Sequence, residues 1–346
     1  MAIRAIKKIL YFAILAGLLG SLFVGYQFNQ FQTQPVQMDT ESVQFTIYSG
    51  NTIRQVAQHL ADKGYILDPL MFIVLSKLSG SESHIQAGEY EIKSTHTPQD
   101  LLRLFQRGNT ILYSFTIIEG WTFSQLLEAI KADPVLVKTI NDASTAEVMQ
   151  QISFASEHPE GRFLPDTYHF PRGTTDISFL RRAYKTMQQL LAREWAARSA
   201  DLPLNSPYEA LILASIIEKE TGAEFERPLI SAAFTTRLKK NMRLQTDPTI
   251  IYGLGDSFDG NIRLRDLRGD TPYNTYIHKG LPPTPIALPG KHAIHSALHP
   301  ADSDAIYFVS KGDGTHYFST TLEEHNDAVS RYQLNGKKPK RTAEPG

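Results

Sequence analysis

The apolar and polar positions of this chain fall into successive segments of different kind. From Ile9 to Tyr26 the run ILYFAILAGLLGSLFVGY contains no charged residue. At ~1.5 Å per helical residue it reaches about 27 Å, close to the ~30 Å hydrocarbon thickness of a bilayer, so one membrane-spanning helix is predicted over 9–26. Residues 27–42, QFNQFQTQPVQMDTES, are polar, Gln-rich and without period, and read as a linker. Val43, Phe45 and Ile47 then alternate like a half-buried strand. Ile53, Val56, Ala57, Leu60 and Ala61 recur at helical spacing until Gly64. Asp68 as N-cap and Pro69 at the first helical position open a second helix that ends near Gly80, and AGEYEIKS supplies another strand. A further helix opens at Thr97 and Pro98 and closes at Gly108, before the strand-like run ILYSFTII.

A domain boundary is expected near residue 115. Beyond it, helices are predicted around 122–131, 176–200, 207–221 and 226–240, with a strand in IYFVSKG at 306–312. Residues 241–295 lack clear periodicity and are dense in Gly, Pro, Tyr, Asn and Asp, the composition of a binding surface built from long loops. The fold class is α+β: one transmembrane helix, a small βααβ domain over 43–115, a larger mixed α/β domain over 116–335, and a polar tail over 336–346.

Composition narrows the function classes. The formal net charge is −1, which provides no bulk attraction to nucleic acid, and no nucleic-acid partner is expected. The chain has no cysteine, which excludes thiol catalysis, disulfides and Cys-ligated zinc. Arg4, Lys7 and Lys8 precede the apolar segment and few basic residues follow it closely. The positive-inside rule then keeps residues 1–8 cytoplasmic and exports the rest, and no small-x-small cleavage site follows the apolar run, so an uncleaved anchor in the cytoplasmic membrane is expected.

The candidate chemistry lies in LILASIIEKETG, residues 211–222, where an apolar helix ends abruptly in Glu218 and Glu220. A helix apolar almost all round is buried, so Glu218 leaves it at the edge of the core. Loss of water there raises a carboxyl above the ~4.3 of free glutamate and suits it to general-acid work. Taken alone, the segment reads first as the solvated end of a helix, with Glu220 and Glu224 on one face. Glu220, two residues on, projects roughly 200° away around the axis and should not face the same bond. Asp247 reads as the N-cap of DPTIIYG with Pro248 opening the first turn. In EGRFLPDTYHF, Glu160 and Asp166 lie on a turn-rich segment, with Asp166 in a supporting role. His292, His295 and His299 fall at i, i+3 and i+7 on one helix face, with His316 and His325 following, which raises a metal reading; the residues are read instead as surface helix positions.

Two resemblances sharpen the picture. The stretch FTIYSGNTIRQVAQHL is similar to the start of a LysM module, a βααβ unit of proteins that bind peptidoglycan or chitin. From EGRFLPDTY onward, the motifs SIIEKET, LQTDPTIIYG, PYNTY, GLPPTPIALPG, GDGTHYF and EEHN occur in order. On these, together with the anchor, the sequence resembles the YceG/MltG-like family of membrane-anchored endolytic murein transglycosylases across nearly the whole chain after residue 40. The resemblance implies cleavage of the β-1,4 bond between N-acetylmuramic acid and N-acetylglucosamine within peptidoglycan strands, leaving 1,6-anhydro-muramyl ends. It implies Glu218 as the catalytic acid/base and no cofactor or metal. Glu220 is expected to be structural; Gln245, Asp247, Tyr252, Asn274 and Tyr276 to line a glycan cleft; and His316, Glu324 and Asn326 to shape the site. Peptidoglycan synthases at the membrane are the implied protein partners. Two other classes remain open: a membrane-anchored peptidoglycan-binding protein without catalysis, and a metal-dependent hydrolase using the histidines.

Overall fold

The computed structural model describes residues 2–80, 84–140 and 143–334; the expected polar tail lies outside them. The chain divides into two compact units, one of residues 1–113 with 169–174, the other of 114–168 with 175–346.

The first unit opens with helix α1 (Ala2–Thr33), followed by β1 (Ser42–Ile47), α2 (Ile53–Asp62), α3 (Pro69–Leu78), β2 (Gly88–Lys93) and α4 (Pro98–Arg107). β1 and β2 pair antiparallel with Phe45 opposite Tyr90. The predicted stops and starts have physical causes in the structure. Thr52 and Gln55 form a capping box on α2, Asp68 accepts from the Leu70 and Met71 amides at the head of α3, and Thr97 with Asp100 caps α4. Gly108 ends α4 in the left-handed region at φ 64°, where a side chain is strained. Phe45, Leu60, Phe72, Tyr90, Ile92, Leu101 and Phe105 make the core of this unit.

The predicted linker is not irregular throughout. α1 continues past the apolar span to Thr33, and Phe28 and Phe31 pack on the core of the unit. The reason is that glutamine is a good helix former and the two aromatics, three residues apart, share one face. Beyond the helix, Val36 is buried and its amide donates to the His96 carbonyl at 2.8 Å.

Strands β3 (Leu112–Thr116) and β4 (Thr167–Pro171) pair with each other. The second unit carries α5 (Phe123–Ala132), α6 (Thr145–Gln151), α7 (Asp176–Ala196), α8 (Pro207–Glu220), α9 (Arg227–Lys239), α10 (Asp247–Leu254), α11 (Leu264–Arg268) and α12 (Lys291–Leu298). The hairpin of β5 (Tyr307–Ser310) and β6 (His316–Ser319), and then α13 (Leu322–Tyr332), complete it. α8 is the axis of this unit. Every residue from Ala210 to Ile217 is buried, and α7, α9, α10 and α12 pack around it.

The stretch read as lacking period therefore contains two short helices and the start of a third. Helices of five and eight residues present one to two turns of pattern, too little for a period to register. The cap of α10 is also displaced by one residue. Thr246 occupies the N-cap and Asp247 the first helical position, where its charge favours the helix N-terminus while its carboxylate accepts from the Tyr276 hydroxyl at 2.6 Å.

Candidate active site

Glu218 lies in the last turn of α8. The helix stops at Thr221, whose backbone is extended and whose hydroxyl accepts from the Ala223 amide at 3.0 Å. The chain reverses over the next few residues and begins α9 at Arg227, which places the Arg227 guanidinium beside the carboxylate it has just left. Arg227 Nη2 donates to Glu218 Oε1 at 3.1 Å, and the Gly290 amide donates to Glu218 Oε2 at 2.9 Å. Both side chains of this ion pair are only 5% exposed. Arg227 also faces Glu119 Oε2 at 3.7 Å.

The electrostatics of Glu218 are a contest. Burial pushes its carboxyl above the ordinary range, and the nearby Glu119 carboxylate adds to that; the Gly290 N–H and the Arg227 cation oppose it. The net direction is upward, so the site favours a protonated carboxyl more than water does. The same donors that limit the rise are aimed at the oxygens that carry the charge once the proton has left.

Two backbone hydrogen bonds and one from a backbone amide to a side-chain hydroxyl build the wall around this carboxyl. The Gly120 amide donates to the Leu288 carbonyl at 2.9 Å, and the Leu288 amide to the Trp121 carbonyl at 2.7 Å. Ser215, the one polar residue in the buried run of α8, accepts from the Ile286 amide at 3.0 Å. The segment 285–290 is thus fastened between α8 and the 119–121 turn, and it delivers the Gly290 amide to Glu218. A β-carbon on Gly290 would collide with the Glu119 side chain, and one on Gly161, at φ +79°, would lie 2.6 Å from Pro285. Glycine is required at 161 by the left-handed backbone and the close approach of Pro285, whereas a side chain at 290 would have to displace Glu119.

Glu220 leaves the helix toward other partners, as the angular argument requires. Its carboxyl accepts from the Thr246 hydroxyl, and burial raises it to about 7. Close by, Glu226 receives the His316 amide and pairs with His316 Nδ1, both at 2.8 Å. His316 therefore ties β6 to the turn between α8 and α9.

The remaining expected residues separate into two groups. Gln245 and Asp247 are exposed and Tyr276 is half-buried, bonded to Asp247, so these three are within reach of solvent. Gln245 adopts φ 51° and its amide donates to the Thr275 carbonyl at 3.1 Å. Asn274 is buried and does internal work: its Nδ2 donates to the carbonyls of Asp266, Leu267 and Gly269, the last at 2.7 Å. Glu324 completes the capping box of α13 and its carboxyl is lowered by the Thr320 and Thr321 amides; Asn326 is exposed on that helix. Asp166 is exposed and accepts from the Thr167 amide.

Tyr252 points to a residue the sequence reading undervalued. Its hydroxyl donates at 3.1 Å to Glu160, which also accepts from the Phe123 amide at 3.0 Å. Glu160 is 4% exposed, and burial raises its carboxyl to about 7. Arg227, Glu119 and Gly290 were not singled out in the sequence either. Arg227 sits in the middle of a polar stretch, and nothing in its neighbours announces that it folds back nine residues onto Glu218.

The histidine face resolves differently from its spacing. Glu194 on α7 joins His295 and His299, with potential ligand atoms all within 4.8 Å of one another, and His292 is not in the group. Glu194 Oε2 and His295 Nδ1 are 2.9 Å apart, and the two imidazoles stack at 4.3 Å. Glu218 is not part of this group.

Fold and site together define a mixed α/β protein whose central helix ends in a desolvated glutamate, Glu218, flanked by a guanidinium and a backbone amide. Residues 45–331 match the YceG-like family, and the chain belongs to that family. A Bacillus subtilis protein named endolytic murein transglycosylase is 31% identical over 320 residues, covering 86% of this chain and 87% of that protein. A Streptococcus pneumoniae protein of the same name is 27% identical over 358 residues; the match covers 93% of this chain and 64% of the pneumococcal protein. The crystal structure of a yceG-like protein from Listeria monocytogenes, 31% identical, superposes with a TM-score of 0.53 over 83% of this chain and 98% of that one.

Proposed function

We propose that this protein is a peptidoglycan lytic transglycosylase that cleaves within glycan strands at the N-acetylmuramic acid to N-acetylglucosamine β-1,4 bond, with Glu218 as its acid and base. The observation that carries the reading is the Glu218 carboxyl, almost fully buried yet flanked by the Arg227 guanidinium and the Gly290 amide, in a chain whose relatives are named endolytic murein transglycosylases.

The chemistry follows from that geometry. Burial pushes the Glu218 carboxyl above its ordinary range, so the site favours the protonated form more than water does, and the carboxyl donates its proton to the glycosidic oxygen as the bond to the muramyl C1 breaks. Positive charge develops on the sugar ring and negative charge on Glu218, which Arg227 and the Gly290 N–H stabilise. The ionised carboxylate then takes the proton of the muramyl 6-hydroxyl as its oxygen bonds to C1. The products are an N-acetylglucosamine hydroxyl end and a 1,6-anhydro-muramyl end, with no water consumed and Glu218 again protonated. No second carboxylate has to act as nucleophile or water activator, unlike hydrolysis. Glu119 beside Arg227 tempers the cation and so favours the protonated form of Glu218.

Gln245, Asp247 and Tyr276 serve this reaction as contacts for the glycan, and the first unit as a LysM-like glycan holder. Peptidoglycan is the substrate and synthases that extend it are the expected neighbours, so cleavage inside a growing strand would end its elongation. α1 is long and apolar enough to cross a membrane, and the reading places the rest of the chain on the outer side. Uncrosslinked glycan strands incubated with the full-length protein in detergent should shorten, as size-exclusion chromatography reports, and Glu218→Gln should leave them intact while still binding them. Shortening by the variant at the wild-type rate would remove Glu218 from its role. Activity lost to EDTA and restored by zinc would favour the metal-dependent reading instead.

A further inference from the structure

α3 is an anomaly in its own unit. Its sequence, PLMFIVLSKL, is apolar on every side, the composition of a helix with no face in water, yet only Phe72, Leu75 and Ser76 are buried. On the opposite side Leu70, Val74 and Leu78, preceded by Leu67, form one stripe at spacings of three and four residues. These side chains are 75% (Leu67), 70% (Leu70), 47% (Val74) and 73% (Leu78) exposed. A water-facing helix of a small domain does not ordinarily carry such a stripe.

The neighbour of that stripe is α1. Val74 and Leu78 line one groove together with Gly17, Gly20, Ser21, Val24, Gly25 and Phe28 of α1. Five of those six positions, Gly17 to Gly25, belong to the uncharged apolar run of α1. Side chains that share a groove with the middle and outer part of a membrane span lie at its depth. Where α1 is in hydrocarbon, Val74 and Leu78 are in hydrocarbon too.

We infer that α3 is a second membrane element: its Leu70, Val74 and Leu78 face is immersed in the outer leaflet alongside α1, and lipid acyl chains occupy the groove between the two helices. The inference rests on the reading that α1 spans the bilayer. The face is continuous with that lipid-facing surface, and immersion replaces water with acyl chain over three large apolar side chains. Lys77, the one charged residue of α3, has a side chain long enough to carry its ammonium to the headgroups. The consequence is that the first unit does not hang from a free tether. It is seated on the bilayer by two points, with α1 entering its core through Phe28 and Phe31.

Because the chain has no cysteine, single-cysteine variants of the full-length protein can be labelled with an environment-sensitive fluorophore at one chosen site. Val74→Cys and Leu78→Cys are the test positions, Leu19→Cys on α1 reports the span, and Gln58→Cys on α2 reports solvent. In vesicles of phosphatidylethanolamine and phosphatidylglycerol containing nitroxide on the acyl chain, labels at 74, 78 and 19 should be quenched several-fold and the label at 58 should not. Quenching at 19 with labels at 74 and 78 as bright as at 58 would overturn the inference and leave the anchor in place. Absence of quenching at 19 would overturn both.

Discussion

At the scale of single residues, protonation is the controlling quantity. Removing the Arg227 cation takes away one of the groups that hold the Glu218 carboxyl down, so in Arg227→Met the fall of kcat/KM on the alkaline side should move to higher pH even as the rate drops. An alkaline limb in the wild-type position would mean that a different group governs it. Glu160 offers a test through stability. Its carboxyl lies at about 7 when folded against a reference of 4.5, so the folded state holds more protons between those values and stability falls as pH rises through that window. The difference of roughly 2.5 pH units corresponds to ~3 kcal/mol at full effect. Glu160→Gln removes the titration, and thermal melts should show the variant gaining on the wild-type protein between pH 5 and pH 8; a constant difference across that range would contradict the assignment. Glu218 was legible in the sequence because the apolar run of α8 marks a buried helix end and the SIIEKET motif resembles that of the family; the run alone also reads as a solvated helix end. Glu160 was not, because it is buried against tertiary partners that include the Phe123 amide and the Tyr252 hydroxyl, far away in the chain.

At the scale of elements, the site depends on one irregular segment held at several points. Gly161 lies against Pro285, and the segment from Pro285 onward ends at the Gly290 amide that bonds Glu218. Gly161→Ala adds a methyl at a left-handed position with no room for it, so Pro285 has to move. Activity should fall at least tenfold, with a destabilisation of about 1–3 kcal/mol that chemical denaturation would measure. Full activity in that variant would show that Gly290 is held independently of Gly161. The helices of this region that could be read from the sequence are those with several turns, α5, α7, α8 and α9, all but α9 with a side-chain N-cap. α11 and β6 escaped and α10 shows only as a helix start at Asp247, because each is short and is fixed by partners elsewhere: α10 by its packing on α8, β6 by pairing with β5 and by the Glu226 grip on His316.

At the scale of the whole molecule, the family, the anchor-like helix and the order of elements in the first unit could be read directly, since each rests on long runs or ordered motifs. The continuation of α1 into the first unit could not, because a Gln-rich stretch with two phenylalanines reads equally as spacer until the core it covers is seen. That continuation shapes a practical expectation. Cutting the chain after residue 26 keeps Phe28 and Phe31 and should give a protein that cleaves isolated strands at near wild-type rate, whereas cutting after residue 33 should lower the melting temperature by several degrees. Equal melting temperatures would place the two aromatics outside the folded core. The central claim, that one glutamate transfers a proton out and back while the sugar closes on itself, is tested most directly by the ends of the products. Glycan strands cleaved by the full-length protein in 18O-labelled water should carry 1,6-anhydro-muramyl ends without 18O by mass spectrometry, and reducing ends containing 18O would contradict the account.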